Sequence, residues 1–263
     1  MLFRRTKRYH ANPLSTRRAL EANFAQGKVE GFSLPRHQDA RIAVIGLGGL
    51  GTPVAHGLMR KGIGEIHLFD DDVVELSNLP RQLFTCDDIG KYKVHSTGKH
   101  LKRSAIFPIT IKAHPVRFQE HFTGDLLGHT YDLIIAGVDN NPSRRAVSEF
   151  AHKHAIPVIH SAVARDASAL YVFVQEPDAA CWACSFPQFL DDTSYPCGLP
   201  GSIDVLTVAA GHVLYATDTI LGSRPRHWNR RVVFLDGSIP DQTTTISVRP
   251  DCPICKRDDL IAA

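Results

Sequence analysis

The sequence contains no run of about 18 consecutive apolar residues, so it predicts no membrane-spanning helix. It opens on no secretory h-region, and a cytoplasmic location without membrane association is expected. Neither sign of charge dominates: 30 Lys and Arg against 27 Asp and Glu leave a formal +3, too small an excess to predict nucleic-acid binding. Acid is missing locally, however. Residues 1 to 20 carry Arg4, Arg5, Lys7, Arg8, Arg17 and Arg18 and no Asp or Glu. Such a segment can be a transit peptide, a polyanion-binding arm, or a solvated arm that contacts a partner. There is no internal repeat and no low-complexity tract. The fourteen histidines are scattered, and none has metal-ligand spacing.

What remains is an ordinary globular composition, 43% hydrophobic and 22% charged over 263 residues, enough to bury a sizeable core. Short apolar runs at 41–46, 65–70, 108–116, 131–139, 156–164 and 169–174 read as strands. Helical spacing falls between several of them, at 52–61, 93–104 and 141–155, and the Phe118–Leu127 segment follows the third strand. Strands alternating with helices predict an α/β fold with a Rossmann-like, doubly wound, mostly parallel sheet. After Gln175 the composition shifts. Residues 176–202 are rich in Pro, Cys, Asp and Ser and read as a long functional loop. An apolar helix at 203–221, a mobile connector at 222–231 and strands at 231–236 and 243–248 follow. The expected division is a basic arm and lead-in helix at 1–40, then one domain at 41–263 with an inserted cysteine-containing loop.

"GLGGLG" places Gly46, Gly48 and Gly51 in a G-x-G-x-x-G frame, directly after a strand and opening a helix. Glycines there permit a tight turn and close approach of backbone to phosphate, and the helix N-terminus adds partial positive charge. Asp70 ends the next strand, placed to bond ribose hydroxyls. A bound nucleotide is expected, but the loop alone leaves open whether it is NAD(P) or ATP. Cleaving ATP takes cations for the phosphates and acids for Mg²⁺. Arg81 in "LSNLPRQ", Lys93 in "GKYK" and Asp139 in "AGVDNNPSRR" supply both, each where a strand end meets a loop. Taken singly, the two cations read as surface residues, and Asp139-Asn140 as a helix N-cap.

Of six cysteines, Cys181, Cys184, Cys252 and Cys255 form two C-x-x-C pairs, "CWAC" and "CPIC". Without a secretion signal these predict a tetrahedral S₄ structural zinc site rather than a disulfide framework. Redox-active pairs or unmetallated core thiols are the other readings. Cys86, beside two acids in "FTCDD", reads as structural.

The order G-x-G-G-x-G, "DDDVVELSNLPRQ", "DIGKYK" and "DNNPSRR" resembles the ThiF/MoeB/HesA family, prokaryotic relatives of ubiquitin-activating E1 enzymes, over roughly residues 41 to 255. The resemblance implies a Rossmann-like adenylation domain using ATP and Mg²⁺. It implies nucleotide contacts at Gly49, Asp70 and Asp72, and places Ser77, Asn78 and Arg81 near the phosphates. Lys93 would neutralise phosphate charge and Asp139 would hold Mg²⁺, with Asn140 and Arg144 in the family's DN-x-x-x-R segment. The implied reaction joins a carboxylate to the α-phosphate of ATP and releases pyrophosphate. That carboxylate would be the C-terminal glycine of a ubiquitin-like or sulfur-carrier protein ending in Gly-Gly. Cys197, ahead of the 203–221 helix, would take the acyl group as thioester or acyl-disulfide, although "CGLPG" departs from the family's A-G-V-x-G-P. Arg8 is the counterpart of an arginine lent across a homodimer. With no rhodanese or E2-like domain in the sequence, a separate E2-like or sulfurtransferase protein is expected to finish any transfer. Alternative readings are adenylation of a peptide or another carboxylate, an NAD(P)-dependent oxidoreductase, and a partner-binding protein that leaves ATP untouched.

Overall fold

A computed structural model describes residues 28–118, 131–164, 166–189, 201–222 and 224–255. Among the described residues eight strands form one sheet: β1 Arg41–Ile45, β2 Glu65–Phe69, β3 Thr110–His114, β4 Leu133–Ala136, β5 Val158–Val163, β6 Ala169–Gln175, β7 Arg230–Phe234 and β8 Gln242–Thr244. Their spatial order is β3-β2-β1-β4-β5-β6-β7-β8. The first five run parallel, and β6, β7 and β8 are antiparallel to their neighbours. From β1 the chain winds outward to β3, then returns to place β4 on the other flank of β1. A crevice therefore opens beyond the carboxyl ends of β1 and β4, where such sheets bind ligands.

The helices are α1 Leu34–Asp39, α2 Gly51–Arg60, α3 Lys93–Ser104, α4 Asn141–Lys153, α5 Trp182–Ser185 and α6 Ile203–Leu221. Side chains alternate across each strand, so a core forms on each face of the parallel part of the sheet. Ile42, Val44, Ile66, Leu68, Leu133 and Ile135 pack with Val54, Leu58, Leu101 and Val213 of α2, α3 and α6. Ala43, Ile45, Phe69 and Ile134 pack on the opposite face with Val147, Phe150 and Ala151 of α4. Burial on both faces explains why the central strands read as continuous apolar runs rather than as alternating ones.

Three details differ from the sequence expectation. The last strand is shorter, because residues 245–248 leave the ladder after Thr244. The 176–202 segment is not all loop, since its described part holds α5 and a 3₁₀ turn at Pro187–Phe189. The connector after α6 is pinned by Arg226, which bonds Thr219 Oγ1 at 3.1 Å, pairs with Glu176 and stacks on Trp228.

Helix α1 is tied to the body by a buried ion cluster. Asp218 of α6, fully buried, meets His37 Nε2 at 3.1 Å, Lys61 Nζ at 2.7 Å and Arg224 Nη1 at 3.4 Å. Burial acts to raise the Asp218 carboxyl, but the bonds from His37 and Lys61 outweigh it and hold the group below its usual range.

Candidate functional site: a nucleotide crevice beside a cysteine knuckle

The chain leaves β1 through Gly46, whose φ of +86° an L side chain rarely adopts. A Cβ there would stand 2.8 Å from the Gly137 carbonyl at the end of β4. A Cβ on Gly51 would stand 1.9 Å from Gly46 O, so only glycine lets the loop fold under the start of α2. Gly48 is different, because among the described residues no atom beyond its chain neighbours lies within 4 Å of its missing Cβ. Its open side belongs to a cavity of about 930 Å³ that Gly46, Gly48, Gly49, Asp70 and Asp72 line together with Arg81, Lys93, Asp139 and Asn140. Residues far apart in sequence thus meet at the crevice between β1 and β4.

Each charged group there has a protein partner that aims it. Asp70 accepts Leu47 N–H at 2.6 Å on one oxygen and Asp72 N–H at 2.9 Å on the other, clamping the glycine loop to the end of β2. Burial pushes the Asp70 carboxyl up, with the Lys93 charge and the two amides acting the other way. Lys93, the first residue of α3, is buried and donates to Asp72 Oδ2 at 2.7 Å. Its ammonium keeps further N–H donors. Arg81 Nη1 donates to Ser77 O at 2.7 Å, which folds the guanidinium over the 3₁₀ turn Leu76–Asn78.

That turn explains two other expected contacts. Asn78 Oδ1 accepts Glu75 N–H at 3.0 Å, and Ser77 Oγ donates to Glu75 Oε2 at 3.1 Å. In this conformation both residues shape the turn that presents Arg81, and neither lines the cavity.

On the β4 side, Asp139 is exposed and accepts Asn140 Nδ2 at 3.2 Å. Asn140 Oδ1 accepts Ser143 N–H at 2.8 Å, the N-cap of α4. Arg144 reaches back to Val138 O at 2.8 Å and Asn141 Oδ1 at 3.1 Å, fixing the backbone that carries Asp139. Gln82 is a further candidate that no charge marks in the sequence. It lines the cavity, is only 7% exposed, and its Oε1 has no partner among the described residues. Its neighbour Arg81 was visible as a charge, whereas a buried amide acceptor leaves no sequence signal.

The cavity continues away from the glycine loop. Ser161 and Ala162 lie in the last half of β5, Ala164 follows it, Ala169 begins β6, and Phe186 and Gln188 close the far side. This lobe is lined by uncharged side chains of mixed size, small at Ser161, Ala162, Ala164 and Ala169 and larger at Leu170, Tyr171, Phe186 and Val232, with no ionic side chain among the described residues.

Behind it lies the cysteine cluster. Cys181 Sγ stands 3.8 Å from Cys184 Sγ and 3.4 Å from Cys252 Sγ, and Cys184 is 3.7 Å from Cys255. A Zn–S bond of about 2.3 Å in tetrahedral geometry separates sulfurs by about 3.8 Å, so the set fits zinc. All four ligand atoms lie within 4.8 Å of one another. Trp182, Phe173, Phe186 and Ile254 surround them, and Arg249 N–H points at Cys184 Sγ at 3.4 Å. Four thiolates would complete a tetrahedral shell, which fits a structural role. Cys197 and Arg8 lie outside the described residues. Among the described residues no helix is long and apolar enough to cross a membrane.

The profile of the ThiF family matches residues 23–255. The SAMP-activating enzyme E1 of Haloferax volcanii is 29% identical over 225 residues, covering 82% of this chain and 80% of that protein. The sulfur carrier protein adenylyltransferase of Thermus thermophilus is 29% identical over 229 residues, covering 84% and 83%. Among solved structures, E. coli MccB with succinimide superposes with a TM-score of 0.71 at 21% identity, over 84% of this chain and 68% of that one. The same enzyme with ATP gives 0.68 at 22% identity over the same shares.

Proposed function

We propose, from the premise that this chain belongs to the ThiF family, that it is an E1-like adenylyltransferase that activates the C-terminal glycine carboxylate of a ubiquitin-like or sulfur-carrier protein with ATP. The observation that carries this reading is the two-part cavity, one end charged and built on the glycine loop, the other lined by uncharged side chains. An acyl adenylate forms where a carboxylate meets the α-phosphate in line. The charged end is suited to the triphosphate, and the uncharged lobe beside it is where a chain terminus ending in glycine would lie. The two similar enzymes named for SAMP and sulfur-carrier activation support the same substrate class.

Carboxylate oxygen is already a nucleophile, so the chain has to supply position and charge rather than a strong base. Lys93, oriented by Asp72, and Arg81, oriented by Ser77 O, would bind phosphate oxygens and offset the charge that passes to pyrophosphate. Asp70 and Asp72 would face the ribose side of the nucleotide. Asp139, an exposed hard-oxygen donor on a braced strand end, would hold the Mg²⁺. Ser77 and Asn78 would join the phosphate end if their turn adjusts around a ligand. The four-thiolate set would hold zinc and tie α5 to the C-terminal segment. Cys197 would accept the acyl group, Arg8 would serve a neighbouring copy in a homodimer, and a separate E2-like or sulfurtransferase protein would complete the transfer. The domain boundary in this reading stays at residues 40 and 41, with α1 latched by His37.

The test is ATP–pyrophosphate exchange with candidate partners ending in Gly-Gly, in wild type, Lys93→Ala and Asp139→Ala. Wild type should exchange with one class of partner, and each variant should lose about 100-fold or more. NAD(P) binding without ATP binding would instead point to an oxidoreductase. Exchange that is indifferent to both substitutions would sink the assigned roles.

A further inference from the structure

Gly49 is expected at the nucleotide, yet its own neighbour is a residue that the sequence patterns place in a helix core. A Cβ on Gly49 would stand 2.5 Å from Leu206 Cδ1 and 3.1 Å from Arg81 O. Leu206 sits in the first turn of α6, its N–H on Ser202 O at 3.1 Å, and it lines the same cavity as Gly48 and Gly49. Its other side touches the chain leading into α6, because a Cβ on Gly201 would stand 3.2 Å from Leu206 Cγ and Cδ2. The leucine is 9% exposed and is held between two glycines, one on each side, so its rotamer freedom is small.

We propose that Leu206 is a positioning residue of the nucleotide loop, a wedge from α6 that sets the height of the Gly48–Gly49 backbone and links it mechanically to Gly201. The inference rests on the nucleotide reading above. A glycine loop recognises phosphate through backbone groups, and its geometry must therefore be set from behind. Elsewhere the backing is polar, from the Asp70 carboxylate to Leu47 N–H and from Thr52 Oγ1 to Gly48 O at 2.9 Å. At Gly49 it is a methyl group, which has steric bulk but no directionality. Because the same side chain meets Gly201, a shift of the loop on binding nucleotide has to be passed to the start of α6.

A size exchange across the contact tests this, with ATP affinity read by calorimetry on the full chain and thermal melts run beside it. Gly49→Ala adds a methyl into Leu206 and should weaken ATP binding about 10-fold, the scale of overpacking a tight site. Leu206→Ala should also weaken it, with α6 still folded. The double variant should bind ATP better than Gly49→Ala alone, since the closer of the two contacts is then gone and only Arg81 O at 3.1 Å remains. Hydrogen exchange should show protection of residues 201–206 on adding ATP in wild type and a smaller gain in Leu206→Ala. A double variant no better than Gly49→Ala, or a Gly49→Ala that binds normally, overturns the wedge. A wild type that binds no ATP overturns the nucleotide reading, and the wedge with it.

Discussion

In the crevice between β1 and β4 each charged side chain has a protein partner on one side and the cavity on the other, as with Lys93 on Asp72 and Arg81 on Ser77 O. Around Cys181 the arrangement is inverted. Four sulfurs face one another, walled by Trp182, Phe173 and Ile254, with a backbone N–H filling the shell. The first region belongs to the parallel part of the sheet, whose carboxyl ends are left uncovered. The second packs against the antiparallel strand β6, through Phe173, where a small cluster holds α5 to the C-terminal segment. The contrast separates two uses of polar atoms. Half-satisfied groups at an open edge are available for binding, whereas mutually satisfied groups in a closed shell hold the fold together.

The strongest way to break that comparison is to open the closed region. Cys181→Ser removes one of four ligands from a site that the surrounding core does not replace. The expected result is loss of about one bound zinc per chain and a fall in melting temperature of about 10 °C, as metal-coupled folding energy is lost. Lys93→Ala, at the open edge and with an exposed partner in Asp72, should lower the melt by less. Zinc analysis and calorimetric melts on purified chain decide it. Equal melts for wild type and Cys181→Ser would mean that the sulfurs are ordinary core thiols.

A smaller effect distinguishes closure from position in the sheet. Glu65 opens β2, at the end of the strand opposite the crevice, and meets His67 Nε2 at 2.8 Å, Lys112 Nζ at 3.2 Å and Arg41 Nε at 3.2 Å. Burial acts to raise its carboxyl, but His67, Lys112 and Arg41 outweigh it and lower the group to about 2 from an ordinary 4.5. A carboxyl lowered on folding adds stability that is complete above its unfolded value and disappears as pH falls through the folded one. The stability gap between wild type and Glu65→Gln should therefore be constant above about pH 4.5 and close toward pH 2. Urea melts across that window read it directly. A gap that stays flat down to pH 2 would show that Glu65 acts by shape alone. Since Glu65 lies in the parallel half, a closing gap would show that closed clusters stabilise there too.

Much of this was legible in the sequence. The central strands appear as apolar runs because both sheet faces are covered, and the glycine frame appears because Gly46 and Gly51 have no alternative residue. The paired C-x-x-C motifs gave the cysteine cluster for a similar reason, since two knuckles have few other uses. What stayed hidden depends on contacts distant in sequence. The reversal of strand direction at β6 follows from tertiary pairing, and no local pattern signals it. Nothing in the text around Leu206 says that Gly49 is its neighbour, or around Asp218 that His37 and Lys61 converge on it. Ser77 and Asn78 were legible as a motif, but their atoms are engaged within their own turn.

The smallest expected effect concerns Asn140, which stands at the border of the two categories. Its side chain is beside Asp139 on the open edge, yet its Oδ1 is committed to Ser143 N–H at 2.8 Å, a helix cap. Removing an Asn cap costs about 1 kcal/mol, so Asn140→Ala should lower stability by that amount. Asn140→Asp keeps an acceptor at the cap, favoured by the helix N-terminus, and should restore it. ATP affinity gives the second axis. If Asn140 serves the fold alone, affinity in Asn140→Ala falls only as far as a loosened Asp139 allows, and Asn140→Asp returns it. If the amide also bonds nucleotide, Asn140→Asp recovers the melt but not the affinity, because a carboxylate replaces an N–H donor beside phosphate. Paired melts and ATP titrations on the two variants therefore say whether this residue belongs with the open edge or with the parts that hold it.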